Sequence, residues 1–216
     1  MDAVILCGGK GTRLAPALLP GLPKCMARVN GEPFIDIFLR GLRQQRLFST
    51  FVFCTGYGAD VVEAHLGNTF WDGEADISTR LYFSREPEQT GTGYAVLNAA
   101  RAGYITTDPF FVFNGDTFCA TDYLALFNAH MDAETAATVA LGIGGIASEW
   151  ARDNAGAFVL GHEALEVMEK MPVPFSLENV LARVDVAAVS MANRYYDIGT
   201  PESLRAFQEF HGTLIR

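Results

Sequence analysis

Short apolar runs alternate with longer amphipathic segments along this chain. Seven runs of four to six residues read as buried strands, namely Ala3–Cys7, Phe51–Thr55, Leu81–Ser84, Phe110–Phe113, Thr138–Leu141, Gly156–Leu160 and Val186–Met191. Six segments of helix length lie between or after them, at Pro33–Gln45, Ala59–Leu66, Thr92–Arg101, Thr121–Met131, His162–Lys170 and Pro201–His211. Strands separated by helices predict βαβ units, and therefore an α/β fold with a mostly parallel sheet covered on both faces.

The carboxyl ends of three predicted strands carry glycine, acidic or amide residues: Gly8–Arg13, Asn114–Asp116 and Asp197–Gly199. Ligands of such sheets bind outside the carboxyl ends of the strands, so we expect these three segments to line one cleft. We find no internal repeat and no linker that would divide the chain. Residues 1–216 are therefore expected to form a single domain.

Composition narrows the class of protein. The chain has 216 residues, of which half are hydrophobic, and no apolar run approaches the roughly 18–20 residues of a membrane span. Met1 leads directly into a strand-like segment, so we expect a cytoplasmic protein without a signal peptide or a membrane contact. The four cysteines lie far apart without CxxC spacing, which favours reduced thiols over disulfides or a zinc site.

Charge is unevenly distributed. A net charge of −9 argues against nucleic-acid binding. Residues 1–31 nevertheless contain Lys10, Arg13, Lys24 and Arg28 against one acidic residue, Asp2. A basic amino-terminal segment in an acidic protein predicts an anion-binding site there.

The loop after the first strand reads "LCGGKGTRLAP" (residues 6–16). It does not fit the Walker A pattern, and as a dinucleotide motif it fails because Leu14 stands where the third glycine should be. A glycine-rich turn without function would not explain the cations. The remaining interpretation is a loop around a triphosphate, in which glycines expose backbone N–H groups and Arg13 offers a planar fork.

This loop, followed by "LPKCM" (residues 22–26), resembles the signature of the sugar-1-phosphate nucleotidyltransferases, G-G-x-G-T-R-L with P-K about ten residues further on. Four further segments resemble that family in the same order: "REPEQTGTGYA" (85–95), "VFNGDTF" (112–118), "NAGAFVL" (154–160) with "FSLENVL" (175–181), and "YYDIGTPESL" (195–204). The resemblance implies a Rossmann-like fold of the nucleotide-diphospho-sugar transferase type.

The resemblance also implies roles for individual residues. The nucleotide would contact Leu6, Gly8, Gly9, Gly11, Thr12, Glu88, Gly91 and Thr92, and the sugar Asn114, Asn154, Gly156 and Glu178. Arg13, Lys24 and Asp116 would be catalytic, and Asp116 and Asp197 would bind Mg²⁺. The substrates would be an NTP and a sugar 1-phosphate. A homodimer is a further expectation.

Plainer interpretations compete at three acidic positions. Asp116 could form a turn or cap a helix, and Asp197 could belong to the cap that "GTP" predicts, with Thr200 before Pro201. Glu178 could cap the short helix after Ser176.

The chain departs from the family pattern in three places. Cys25 replaces the usual proline, and Tyr94 replaces a small residue, where it either narrows the nucleotide pocket or packs beneath it. The middle is also short, since "GIGGIASEWARD" (142–153) leads straight into Asn154 where relatives have a G-V-V…F-x-E-K-P hairpin whose Glu and Lys hold the sugar phosphate. Either the hairpin is truly deleted, or a loop is missing and the chain should be broken between Gly142 and Asn154.

The resemblance is strongest to the heptose 1-phosphate guanylyltransferases, which make GDP-heptose for bacterial surface polysaccharides, through "LPKCMARVNGEPFIDIFLRGLRQQ" (22–45). Thymidylyl- and uridylyltransferases of hexose 1-phosphates share the same loops. A weakened relative that only binds a nucleotide sugar is the third alternative. The cations and acids of the site favour an enzyme, whereas the short middle favours a binding module.

Overall fold

A computed structural model describes residues 1–19, 21–69, 79–86, 90–143 and 154–214. The strands are β1 (Asp2–Leu6), β2 (Arg28–Val29), β3 (Glu32–Pro33), β4 (Thr50–Thr55), β5 (Arg80–Arg85), β6 (Phe110–Asn114), β7 (Thr117–Cys119), β8 (Ala137–Ile143), β9 (Asn154–Leu160) and β10 (Val186–Asp197). The helices are α1 (Phe34–Gln44), α2 (Ala59–Thr69), α3 (Thr92–Arg101), α4 (Tyr123–Ala133), α5 (His162–Glu169), α6 (Leu177–Leu181) and α7 (Pro201–Leu214). Two 3₁₀ turns, Ala15–Ala17 and Lys24–Met26, flank the loop that precedes β2.

Eight of these strands form one sheet in the order β5-β4-β1-β6-β9-β8-β10-β7. Strands β5, β4, β1 and β6 run parallel to one another, and β8 and β10 are parallel to each other. Strand β9 is antiparallel to both β6 and β8, and the short β7 is antiparallel to the end of β10. The mostly parallel α/β fold predicted from the sequence is therefore confirmed.

Strand β1 shows why the sheet has two apolar faces. Ala3 and Ile5 point to one face and Val4 to the other, and all three are fully buried. The first face packs against helices α1, α2, α4 and α7, and the second against α3, α5 and α6. A strand buried on both faces is largely apolar, which gives the continuous apolar run from Ala3 in the sequence.

All seven predicted strands and all six predicted long helices are present, as is the short helix after Ser176. The sequence did not predict the hairpin β2–β3 or strand β7, whose two or three residues are too short to form a periodic pattern. The sequence also did not predict that β9 runs antiparallel. Its direction depends on pairing with β6 and β8, which is a tertiary property.

Residues 144–153 lie outside the described part of the chain, so the predicted chain break stays a prediction. The four cysteines, Cys7, Cys25, Cys54 and Cys119, are buried as free thiols. Among the described helices, none has the length and hydropathy needed to cross a bilayer.

The aromatic core beneath β6 provides a stability test. Phe113 is 1% exposed, and its ring centroid lies 5.1 to 5.9 Å from those of Tyr123, Phe48, Phe111 and Phe38. Replacing Phe113 by Ala should lower the free energy of unfolding by about 3–5 kcal/mol, because a cavity remains where the ring packed. Urea titration measures this loss. Leu124→Ala, at a position that is 50% exposed, should change the free energy of unfolding by less than about 0.5 kcal/mol. Equal losses for the two variants would contradict the assignment of Phe113 to the core.

Candidate active site

Strands β1 and β6 end side by side at one edge of the sheet. Leu6 is paired with Asn114, and the backbone N–H of Gly115 donates to the carbonyl of Leu6 at 3.1 Å. A β-carbon on Gly115 would lie 2.8 Å from that same carbonyl oxygen, so only glycine allows the approach. Asp116 therefore leaves the sheet directly beside the start of the glycine loop.

The glycine loop is held at both ends. The N–H of Tyr57, which follows β4, donates to the carbonyl of Gly8 at 3.1 Å, and the N–H of Leu14 donates to the carbonyl of Gly11 at 2.9 Å. Leu14 is fully buried and anchors the far end of the loop in the core. Gly9 and Thr12, which lie between these anchored ends, are exposed. Such an arrangement presents a short, anchored stretch of backbone to solvent, which suits contact with an anion.

Lys24 lies between the two aspartates that the sequence predicts as metal ligands. Its ammonium Nζ is 2.5 Å from Oδ2 of Asp116 and 3.2 Å from Oδ1 of Asp197. The side chain of Lys24 is 13% exposed, against 34% for Asp116 and 47% for Asp197. The two carboxylates thus converge on one ammonium group, so the carboxyl ends of β6 and β10 meet as the sequence predicts.

Two glycines make room for the lysine. Gly11 has φ +60°, and a β-carbon there would lie 2.9 Å from Cβ of Lys24. A β-carbon on Gly199 would lie 2.7 Å from Oδ1 of Asp197 and 3.1 Å from Nζ of Lys24. The position of Lys24 therefore requires glycine at 11, and Gly199 leaves room for the ends of the Asp197 and Lys24 side chains.

The plainer interpretations of the aspartates hold in part. Asp116 does lie in the turn between β6 and β7, whereas the next helix, α4, is capped by Asp122. Among the described contacts, Oδ1 of Asp116 accepts from the neighbouring Thr117 hydroxyl at 3.1 Å, and Oδ2 faces Lys24. Thr200 does cap α7, because its hydroxyl accepts from the N–H of Ser203 while its own N–H donates to the Ser203 hydroxyl. Asp197 takes no part in that cap, so the cap and an acidic site occur together.

The carboxylate pair fits the chemistry of Mg²⁺. Both oxygens already converge on one cation, the ammonium of Lys24, and carboxylate oxygens are the ligands that Mg²⁺ prefers. Within the described ranges, no group of three or more His, Cys, Asp or Glu side chains is arranged to hold a metal. Mg²⁺ needs no such cage, since it commonly binds one or two carboxylates together with substrate phosphates.

The predicted sugar-contacting residues of β9 lie next to Asp116. Gly156 has φ +71°, and a β-carbon there would lie 2.8 Å from Cβ of Thr117. The side-chain oxygen of Asn154 accepts from the N–H of Gly156 at 2.8 Å, which fixes the amide and leaves its NH₂ group as the donor for a ligand. Asn114, at the end of β6, is half-buried.

The predicted nucleotide-binding residues Gly91 and Thr92 are bound to the segment before α6. Gly91 has φ +97°, and a β-carbon there would lie 2.2 Å from the carbonyl oxygen of Phe175. The hydroxyl of Thr92 accepts from the N–H of Leu177 at 2.9 Å. Tyr94 packs edge-to-face on Phe175 with the ring centroids 6.0 Å apart. This contact supports packing beneath the site as the role of Tyr94.

Glu178 is exposed in the first turn of α6 and does not cap it. Ser176 and Asn179 form the capping box instead, which overturns the helix-cap alternative for Glu178. The described contacts do not join Glu178 to Asn154 or Asp116. Glu88, the predicted nucleotide ligand, lies outside the described residues.

Arg13 lies exposed on the glycine loop. In the part of the chain that the structure describes it makes no hydrogen bond or ion pair with Asp116 or Asp197. A guanidinium group without an internal carboxylate partner keeps its full charge available to an anion from solution.

Sequence reasoning missed Glu86, two residues before the predicted Glu88. Its N–H donates to the carbonyl of Thr55 at 2.8 Å, and its Oε2 is 3.6 Å from where a β-carbon of Gly8 would lie. Burial raises the pKa of Glu86 to about 7, although a hydrogen bond from the Thr90 hydroxyl opposes the shift. A carboxyl group half-buried beside the glycine loop is a candidate ligand contact that only the tertiary structure reveals.

Comparison with known proteins identifies the family. The model of the nucleotidyl transferase family matches residues 2–150, so the chain belongs to this family. It is 31% identical over 141 residues to the D-glycero-α-D-manno-heptose 1-phosphate guanylyltransferase of Aneurinibacillus thermoaerophilus. It is 30% identical over 122 residues to the enzyme of the same name from Campylobacter jejuni. These matches cover 65% and 56% of this chain but only 57% and 50% of the two relatives, so the matched stretch spans about half of each relative's length.

Among solved structures, HddC from Yersinia pseudotuberculosis in complex with GMP-PN is similar, with a TM-score of 0.77 and 26% identity. The superposition covers 97% of this chain and 99% of the HddC chain. The family likeness expected from the glycine loop is therefore confirmed over nearly the whole fold.

Glu86 predicts a specific pH dependence of stability. Because its pKa is higher in the folded protein than the usual 4.5, its favourable contribution is complete below pH 4.5 and is lost as the pH rises through about 7. Glu86→Gln replaces the ionisable carboxyl group by a neutral amide, so the variant does not lose this stability as the pH rises. The melting temperature of the variant relative to wild type should therefore increase between pH 5 and pH 8 and then level off.

Thermal scans in matched buffers at pH 5, 6, 7 and 8 provide the measurement. Glu209→Gln, at an exposed position on α7, is the matched control and should show a constant difference from wild type. A difference for Glu86→Gln that stays flat, or that falls as the pH rises, would show that the carboxyl is not held in an unfavourable site.

Proposed function

We propose that this protein transfers a nucleoside monophosphate from an NTP to a sugar 1-phosphate and releases pyrophosphate. The observation that carries the proposal is the convergence of Lys24, Asp116 and Asp197 at the foot of an anchored glycine loop. Membership of the nucleotidyl transferase family supports it.

The proposed reaction joins two anions, so its barrier is mainly one of positioning and charge. A phosphate oxygen of the sugar 1-phosphate attacks the α-phosphorus, and the bond to pyrophosphate breaks in line with the attack. Because the attacking oxygen is already ionised, no general base is required. The chain must instead hold both anions and stabilise the negative charge on the leaving group.

The residues divide this work as follows. Backbone N–H groups of the loop between Gly8 and Thr12 and the guanidinium of Arg13 bind the departing pyrophosphate. Lys24 reaches the α-phosphate and the acceptor phosphate as a compact charge. Asn154 and Glu178 contact sugar hydroxyls, with Asn114 and Gly156 at the edge of that subsite.

Asp116 and Asp197 are the groups that would hold Mg²⁺, which would supply positive charge against the phosphates when bound. Asp116 is oriented for this by the Thr117 hydroxyl on its other oxygen. Asp197 is positioned by the end of β10 and by the backbone bond from the N–H of Ile198 to the carbonyl of Asp116 at 2.9 Å.

We propose GTP as the preferred nucleotide and a heptose 1-phosphate as the acceptor, giving GDP-D-glycero-D-manno-heptose for a bacterial surface polysaccharide. The names of the relatives from Aneurinibacillus and Campylobacter support this choice. Glu86 also supports it, because an ionised carboxylate can accept from the two adjacent N–H donors of guanine, whereas uracil and thymine offer only one.

The same proposal includes a cytoplasmic location, where NTPs are available, and a single nucleotidyltransferase domain formed by residues 1–216. Assembly as a homodimer remains a prediction.

A substrate panel tests the activity. Pyrophosphate release is measured for GTP, ATP, UTP and dTTP, each with D-glycero-α-D-manno-heptose, mannose or glucose 1-phosphate as acceptor. We expect the highest kcat/KM for GTP with the heptose. A higher value for dTTP or UTP with glucose 1-phosphate would reassign the substrates to a hexose 1-phosphate thymidylyl- or uridylyltransferase. Binding of a nucleotide sugar without any pyrophosphate release would instead indicate a binding module.

Asp116 provides the first test of the assigned roles. Asp116→Asn keeps the size of the side chain but removes the charge that faces Lys24, so kcat should fall by about 100-fold or more. Lys24 retains Asp197 as a partner, and the variant should remain folded. Steady-state kinetics and a thermal scan measure the two effects. The control is Asp132→Asn, at an exposed position on α4, which should match wild type in kcat and in melting temperature. A wild-type kcat for Asp116→Asn would show that Asp116 has no part in the reaction.

Arg13 provides the second test. Arg13→Lys replaces a planar fork by a point charge, so kcat/KM for the NTP should fall by about tenfold or more. Arg13 is exposed and makes no described internal contact, so the melting temperature should not change. Arg40→Lys on α1 is the control for the same substitution at another exposed position. If both variants retained wild-type kinetics, the proposed phosphate contact would be wrong.

A further inference from the structure

We infer that Lys24 is an internal counter-cation, which holds the two carboxylates together in the free protein and must leave them before a divalent cation can bind. This inference rests on the proposed function, which gives the departure of the lysine from the carboxylates its purpose. Its evidence is the position of one ammonium group between Asp116 and Asp197.

The lysine and a metal ion would occupy the same place. Oδ2 of Asp116 and Oδ1 of Asp197 both face Nζ of Lys24, at 2.5 and 3.2 Å. Mg²⁺ would bind the same two oxygens at about 2.0–2.1 Å. The ion would therefore occupy the space between the carboxylates that Nζ of Lys24 occupies. A monovalent and a divalent cation that close together repel strongly, so occupancy by one excludes the other.

The lysine is well shielded in this position. Its side chain is only 13% exposed, and Gly11 and Gly199 both leave space that a β-carbon would fill. The next two residues, Cys25 and Met26, are buried and fix the backbone of the 3₁₀ turn. The lysine backbone is therefore anchored, and only the flexible side chain can move away from the carboxylates.

The carboxylates, in contrast, are accessible. Asp116 and Asp197 are 34% and 47% exposed, so a hydrated cation can reach them from the cleft. An incoming triphosphate offers the ammonium an alternative anionic partner on the loop side, next to Gly11. We therefore expect the divalent cation to bind weakly to the free protein and tightly together with the nucleotide.

The test is the affinity for Mn²⁺, used in place of Mg²⁺ because its free concentration can be followed by electron paramagnetic resonance. Lys24→Met removes the ammonium while keeping most of the length of the unbranched side chain. In the absence of nucleotide, this variant should bind Mn²⁺ about 10- to 100-fold more tightly than wild type, because two carboxylates are left without a cation. Lys24→Met should at the same time lose nucleotidyl transfer, so that affinity and turnover change in opposite directions.

Three controls accompany this measurement. Lys170→Met removes the same charge at an exposed position after α5 and should leave Mn²⁺ affinity unchanged. Lys24→Met combined with Asp116→Asn should abolish the gain, because one of the two carboxylate charges is gone. With a non-hydrolysable GTP analogue present, the difference between Lys24→Met and wild type should shrink below about threefold, since the lysine has then already left the pair.

A Lys24→Met variant that binds Mn²⁺ no more tightly than wild type in the absence of nucleotide would overturn the inference. A gain that persists undiminished with the nucleotide analogue would also overturn it, because the lysine would then not move. Should Lys24→Met fail to fold, Lys24→Gln is used for the same comparison. The readout does not depend on turnover. If Lys24→Met gains Mn²⁺ affinity but the wild-type protein transfers no nucleotide to any sugar 1-phosphate, the proposed function is rejected and the cation exchange is retained.

Discussion

The parallel pairing of β1 with β4 on one side and β6 on the other is the constraint on which the site depends. Since β1 is buried on both faces and hydrogen-bonded along both edges, its carboxyl end has one fixed position. The glycine loop starts there, and Asp116 follows the neighbouring strand β6. Glu86 follows β5, which lies beyond β4 on the other side of β1. Groups that are separated by more than a hundred residues in the chain thus meet at a single sheet edge.

Electrostatics then decides how these groups coexist without a ligand. Two carboxylates that face each other across a cleft repel, and the ammonium of Lys24 neutralises the pair from a mostly buried position. This compensation explains how two carboxylates can lie together in the free protein. Under the proposed function, the same lysine holds the carboxylates in one state and contacts the substrate in another.

Steric requirements connect the two halves of the site. Gly11, Gly91 and Gly156 all have positive φ, and a β-carbon at any of them would collide with a neighbouring segment. Gly91 allows the loop before α3 to bond to Phe175, just ahead of α6, which carries Glu178. Gly156 brings β9 against Thr117, next to Asp116. The segments predicted to bind the nucleotide and the sugar are therefore held in place by close backbone contacts.

The sequence by itself determined the order of strands and helices, since burial on one or two faces leaves a period in the pattern of apolar residues. It also predicted an anion-binding loop, because the glycines, Arg13 and Lys24 lie within one short segment of the chain. The antiparallel direction of β9, the raised pKa of Glu86 and the choice of Asn179 over Glu178 in the cap of α6 were decided only by tertiary structure. The physical reason is that strand pairing, desolvation and hydrogen bonding depend on which distant segments meet. The local pattern of residues does not show which segments those are.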